Sequence, residues 1–224
     1  MYTHIPLKAT TLKTISLLVI PPITLLGLIY NVFSWECFIG YVGLLLAIYF
    51  GIENRQLNEE KRKLSWSDLQ SLTRDLRQKI NQKYEPQIYF SPCRRGATVA
   101  NLMFFPNENV PLYVGIREDT RVTPQLNLNK KDFKVVSTGK YNQYIPISLL
   151  EKKDSKLLII DDFAETGISL SAIVNCLIDN GFNEDNIKTA TVACSEIAIR
   201  DDKRPDFCSI TMPHGFYFPW GRAI

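Results

Sequence analysis

An uninterrupted apolar run, Leu157 to Ile160, ends on two adjacent aspartates, and after a short polar loop an apolar pattern resumes at a different spacing. The segment from Lys156 to Ile173 reads KLLIIDDFAETGISLSAI. Consecutive apolar residues suit a strand covered on both faces, as in a parallel sheet. Leu170, Ile173, Val174, Leu177 and Ile178 recur instead at helical spacing. A strand turning into a helix is a unit of an α/β layer. Two neighbouring carboxylates repel each other and are costly to bury unless paired, protonated or bound to a metal. The fold must therefore bring something positive or hydroxyl-rich to Asp161 and Asp162.

The same alternation continues along the chain from residue 65. SWSDLQSLTRDLRQKI, beginning at Ser65, carries a capping box formed by Ser65 and Asp68, and Leu69, Leu72, Leu76 and Ile80 at helical spacing. QIYF, PLYVGI, FKVVS, LLIID and KTATVAC read as strands, with ATVANLMFF and LSAIVNCLIDNG as helices, the second stopped by Gly181. This predicts an α/β fold with a largely parallel sheet flanked by helices. Ligands of such sheets sit beyond the carboxyl ends of the strands, where the aspartate pair lies. Lys130 to Pro146, polar and glycine-containing, is either a lid over that end or a plain surface connection.

The N-terminal part has a different character. Leu12 to Tyr30 and Cys37 to Ile52 carry only Lys13 as a formal charge, and a bilayer span needs about 20 apolar residues. With the short connection NVFSWE between them, residues 1–54 predict a two-helix transmembrane hairpin, kinked at Pro21 and Pro22, with Trp35 at the interface. Lys8 and Lys13 precede it and Arg55, Lys61, Arg62 and Lys63 follow it, so both termini are expected on the cytoplasmic side of a membrane and the lipid bilayer is an expected partner. Residues 55–64 form a charged juxtamembrane linker or a helix extension, and 65–224 a soluble domain. The hairpin could also pair copies of the chain.

Composition narrows the functions. At 224 residues and 46% hydrophobic content the chain can bury one core and carry an appendage. A net charge of +3 gives no reason to expect nucleic acid as a partner. The five cysteines include no CxxC pair, which argues against a zinc site or a disulfide framework and suits a reducing cytosol.

The loop after the aspartates points to an anion. Free N–H groups at the helix start, the hydroxyls of Thr166 and Ser169 and the flexible Gly167 form a cradle suited to phosphate. Carboxylates just upstream suit sugar hydroxyls or a magnesium ion. Four apolar residues, Asp161-Asp162, three variable residues and Thr166-Gly167-x-Ser169 resemble the phosphoribosyl pyrophosphate loop of type I phosphoribosyltransferases. The soluble domain as a whole is most similar to the xanthine-guanine members. WSDLQSLTRDL resembles their opening helix, Arg94-Arg95-Gly96-Ala97 their pyrophosphate loop, and RPDF with FYFPW their base-covering tail. The hairpin has no counterpart in the soluble members.

The resemblance implies roles. Asp161 and Asp162 would bind the ribose hydroxyls and Mg²⁺, and Ala164, Glu165, Thr166, Gly167 and Ser169 would hold the 5-phosphate. Arg94, Arg95 and Gly96 would grip pyrophosphate, although two adjacent arginines also read as a solvated pair. Glu165 would lie near the purine and, with the aspartates, act in catalysis. Ser195 stands where the family has a purine-reading lysine. Phe216 and Tyr217 stand nearest its stacking tryptophan, while Phe216, Phe218 and Trp220 also read as core or lipid-facing aromatics. Ile168 replaces the second glycine of the family's T-G-G-T. Two functions stay open: a Mg²⁺-dependent transfer of phosphoribosyl to a purine-like base with release of pyrophosphate, or a membrane effector that senses a nucleotide without turnover.

Overall fold

The computed structural model describes residues 35–61, 63–104, 109–121, 130–138, 141–213 and 215–222. The chain divides into two units, residues 1–61 and 62–224.

In the first unit, helix α1 (Trp35–Lys61) runs through the second expected span and on into the charged stretch, so that stretch is a helix extension. Ile39, Leu44, Leu46, Ile48 and Phe50 are exposed. Among the described residues no helix is long and apolar enough to cross a membrane, so the expected second span finds no support there. The first expected span lies outside the described residues.

The second unit opens with α2 (Trp66–Asn81), which starts where its sequence signal places it. The Asp68 amide donates to Ser65 Oγ at 3.1 Å, and the Ser65 amide donates to Asp68 Oδ2 at 2.9 Å. There follow β1 (Ile88–Ser91), α3 (Arg94–Phe104), β2 (Leu112–Val114), β3 (Ile116–Asp119), β4 (Phe133–Ser137), β5 (Tyr141–Pro146), the short α4 (Ile147–Leu150), β6 (Leu157–Ala164), α5 (Ile168–Asp179), β7 (Ile187–Cys194), α6 (Glu196–Arg200), β8 (Phe207–Thr211), β9 (Tyr217–Phe218) and β10 (Gly221–Arg222).

Five strands form one parallel sheet in the order β2-β1-β6-β7-β8. The central position of β6 explains its apolar run, since every residue from Leu157 to Ala164 is buried. Leu158 and Ile160 face a core shared with Leu69 and Leu76 of α2 and Val99 and Met103 of α3. Leu157 and Ile159 face a second core with Leu170, Ile173 and Leu177 of α5. Each such fully buried side chain stabilises by about 1.5–3 kcal/mol relative to exposure.

The remaining expected strands depart from one continuous sheet. PLYVGI divides at Gly115 into β2 and β3, which belong to different sheets. A Cβ at Gly115 would lie 2.7 Å from the Tyr144 carbonyl oxygen, so only glycine lets the chain cross there. β3, β5 and β4 form an antiparallel sheet in that order. The segment expected as a lid or plain connection is thus largely this sheet's β4 and β5, with residues 139–140 outside the described set. The C-terminal tail folds as the hairpin β9–β10, and the Leu64 amide donates to the Tyr217 carbonyl at 2.8 Å.

Candidate functional site

Asp161 and Asp162, 2% and 3% exposed, occupy the carboxyl end of β6. Extended backbone sends neighbouring side chains to opposite faces, and the two carboxylates accordingly meet different partners. On the Asp161 side, Arg117 Nη2 from β3 donates to Oδ2 at 2.5 Å, Cys93 Sγ donates to Oδ1 at 3.3 Å, and the Asp162 amide donates to Oδ1 at 2.9 Å. Burial opposes the guanidinium charge, and Asp161 beside it more than restores that charge. Burial and the Asp161 charge push the Cys93 thiol up to about 12, so at neutral pH it is a donor and not a nucleophile.

On the Asp162 side, Trp220 Nε1 donates to Oδ2 at 3.2 Å. Burial and then the Asp161 charge raise the Asp162 carboxyl to about 7, while Arg95 and Arg117 pull it back. Around it lie Phe163 against Phe216, with ring centroids 4.9 Å apart, and Phe218 stacked on Trp220 at 4.9 Å. One strand end therefore pairs Asp161 with a cation and sets Asp162 against aromatic rings, with the two carboxyls still in hydrogen-bond reach of each other.

Past β6 the chain makes a tight turn into α5. Gly167, at the cap of that helix, has φ +69, and a Cβ there would collide with the Lys203 backbone. Both constraints select glycine. A cavity of about 210 Å³ opens here, walled by Glu165, Thr166, Gly167 and Ser169 from the loop, by Asp161, and by Arg117, Thr138 and Tyr141 from the antiparallel sheet. The loop, Asp161 and Ala164 thus line one cavity.

The other expected site residues are placed as follows. Arg94, Arg95 and Gly96 are the first turn of α3 and not a loop; Arg94 is exposed, and the charge of Arg95 reaches Asp162. A Cβ on Gly96 would lie 2.9 Å from the Asp161 Cα, so this glycine lets the helix start press on the end of β6. Ser195, 1% exposed, caps α6: its Oγ accepts from the Ile197 and Ala198 amides at 3.0 and 3.2 Å and donates to the Glu165 carbonyl. Its single proton is thus used within the fold and is not offered to a base. Phe216 is fully buried, with its ring against Phe163 and Phe218, as the alternative reading of a core aromatic has it. Tyr217 is half-buried and pairs with Arg222 in the hairpin.

Magnesium does not fit the acidic pair as folded. Asp161 spends its oxygens on Arg117, Cys93 and a backbone amide, and Asp162 accepts from Trp220 and hydrogen-bonds the Asp161 side chain, so an ion at the pair would compete with the Arg117 guanidinium and the Trp220 N–H. Among the described residues no group of three or more His, Cys, Asp or Glu side chains could hold a metal. Nothing local in the sequence marks Arg117 and Trp220 as the partners of the pair. Arg117 is a lone cation at the end of a strand, and Trp220 lies within the tail already recognised.

No protein-family model and no curated protein matches the sequence. Solved structures do. The xanthine-guanine-hypoxanthine phosphoribosyltransferase of Helicobacter pylori is 15% identical with a TM-score of 0.51, over 71% of this chain and 92% of that one. The domain has the phosphoribosyltransferase fold. A hypothetical protein from Neisseria gonorrhoeae with bound ppGpp is 15% identical with a TM-score of 0.50, over 70% of this chain and 88% of that one. A purine phosphoribosyltransferase from Pyrococcus horikoshii Ot3 is 18% identical over 72% of this chain and 95% of that one, with a TM-score of 0.48.

Proposed function

We propose that this domain binds phosphoribosyl pyrophosphate in the cavity beyond β6 and transfers its phosphoribosyl group to a purine-like base. The observation that carries the reading is the loop Glu165–Ser169, which joins a buried strand to α5 through the left-handed Gly167 and lines the cavity with backbone and hydroxyl groups. A 5-phosphate suits that cradle at the helix start, and Asp161 suits a ribose hydroxyl. In the reaction a base nitrogen forms a bond to the anomeric carbon as the bond to pyrophosphate breaks, and no protein nucleophile is required. The fold supplies position and a partly closed space. Arg94 and Arg95, at the start of α3, are the cations for the leaving pyrophosphate.

A second reading is a nucleotide-sensing effector that binds without turnover. Two observations favour it: Ser195 and Phe216, the groups expected to select a base, are consumed by the fold, and one protein of the same fold carries bound ppGpp. In both readings α1, whose apolar side chains at Ile39, Leu44, Leu46, Ile48 and Phe50 are exposed, joins the apolar stretch before it to hold the domain at a bilayer; a helix apolar on all sides needs an apolar surrounding.

One assay separates the readings. The purified full-length protein is given phosphoribosyl pyrophosphate with a panel of purine bases, and pyrophosphate release is followed. Release that requires a base supports the transferase. Calorimetric binding of ppGpp or a purine nucleotide with no release under any base supports the effector. Absence of both would sink the common site.

A further inference from the structure

The cavity beyond β6 has an electrostatic problem that its own walls solve. Asp161 and Glu165 both line it, and an anionic ligand entering between two carboxylates meets repulsion unless a cation stands in the same wall. Arg117 is that cation, the only lysine or arginine among the described residues lining the space.

The fold fixes Arg117 firmly. It sits on β3, paired with Gln143 of β5, and the Gln143 side chain donates to the Pro92 and Ile116 carbonyls at 2.6 and 3.1 Å. Its guanidinium carbon lies 5.5 Å from the centroid of the Tyr141 ring, a second support from below. Its Nη2 reaches Asp161, while its buried Nε has no hydrogen-bond partner among the described residues, so Asp161 does not exhaust the guanidinium. A planar fork with several donors can hold one carboxylate and still serve a second anion.

Resting on the functional reading above, we propose that Arg117 is a ligand-binding residue that acts as the site's resident cation, neutralising Asp161 and drawing the phosphorylated ribose into the cavity, so that phosphoribosyl pyrophosphate binds without a divalent metal. The argument is positional: the guanidinium stands on the carboxylate that would otherwise face an ion. Phosphate oxygens then meet a cation already in place, and the ribose hydroxyls meet a carboxylate whose charge is balanced.

The test is calorimetric titration of the full-length protein with phosphoribosyl pyrophosphate, once in excess EDTA and once in millimolar Mg²⁺. The expected result is a dissociation constant that agrees within about threefold between the two conditions, and a weakening of about tenfold or more in EDTA for Arg117→Met. Arg117→Lys keeps the charge and the ion pair but lacks the fork, and is expected to fall between the two; it also decides the matter if the Met variant does not fold. Wild-type binding that gains tenfold or more from Mg²⁺, or a folded variant of either kind that binds as tightly as wild type in EDTA, overturns the inference and leaves the functional reading standing. No binding of phosphoribosyl pyrophosphate by the wild type in either condition removes the transferase reading, and this inference with it.

Discussion

The two sides of the β6 carboxyl end differ by one residue in sequence and by nearly everything in environment. Asp161 faces a cation, a thiol and a cavity, and its charge is matched. Asp162 faces Trp220 within an aromatic wall and is pushed up to about 7 by burial first and by its neighbour's charge second. A strand's alternation thus separates two identical side chains into different chemical roles. Burial alone does not decide the cost of a carboxylate; the partner does.

Removing each side's main support sharpens the contrast most. Arg117→Met leaves Asp161 buried with no cation, and breaking a buried pair from one side costs about 3–5 kcal/mol. On the aromatic side, Phe216→Ala opens a hole between Phe163 and Phe218 and costs a similar amount, about 3–5 kcal/mol. Urea unfolding of both variants at neutral pH checks these values. A Phe216→Ala protein of unchanged stability would place that ring outside the core.

The next effect is on pH dependence. Asp162 keeps its proton up to about pH 7 in the folded chain, whereas an unfolded aspartate loses it near about pH 4. The folded state binds the extra proton between those values, so stability falls as pH rises through that window and the full penalty stands above it. Asp162→Asn removes the penalty and still offers Trp220 an oxygen. It is expected to stabilise by about 2–4 kcal/mol at pH 8 and by progressively less toward pH 4. Its affinity for phosphoribosyl pyrophosphate is expected to drop by about 1–3 kcal/mol if the carboxylate contacts the ligand. Denaturation curves at pH 5 and pH 8, with calorimetry beside them, read both. A gain equal at the two pH values would mean that Asp162 is charged throughout.

Much of this geometry was legible where the signal is local. The strand, the aspartates, the glycine and the helix stripe are contiguous, and the Ser65–Asp68 box fixes the start of α2 within one turn. Gly115 hid a change of sheet because an apolar run with one glycine reads as a single strand. Arg117 was not legible as a partner of Asp161, since the contact spans 44 residues and depends on how the antiparallel sheet docks. Ser195 carried a local signal that the family resemblance outweighed: a serine directly before EIAIR is a helix cap, and it folds as one. In the tail, resemblance found the segment, but choosing among Phe216, Tyr217 and Trp220 needed the register of the hairpin, which no local pattern states.

The smallest expected effect isolates the hydrogen bond that ties the tail to the acidic pair. Trp220→Phe keeps an aromatic ring to stack on Phe218 and to meet Trp66, whose centroid lies 5.8 Å away, but removes the N–H that Asp162 Oδ2 accepts at 3.2 Å. A hydrogen bond to a charged group contributes about 1.5–3 kcal/mol and one to a neutral group about 0.5–1.5 kcal/mol. Because Asp162 passes from mostly neutral to mostly charged across pH 7, the loss should be larger at pH 8 than at pH 5, by about 1 kcal/mol. The same deletion takes a donor away from the charged form, so the pH at which Asp162 ionises should move further up. Unfolding at the two pH values, with the double variant Asp162→Asn/Trp220→Phe to isolate the pair, measures the coupling directly. A loss that is independent of pH, or one that persists unchanged in the double variant, would assign the role of Trp220 to packing on Phe218 and Trp66 and leave Asp162 without its donor.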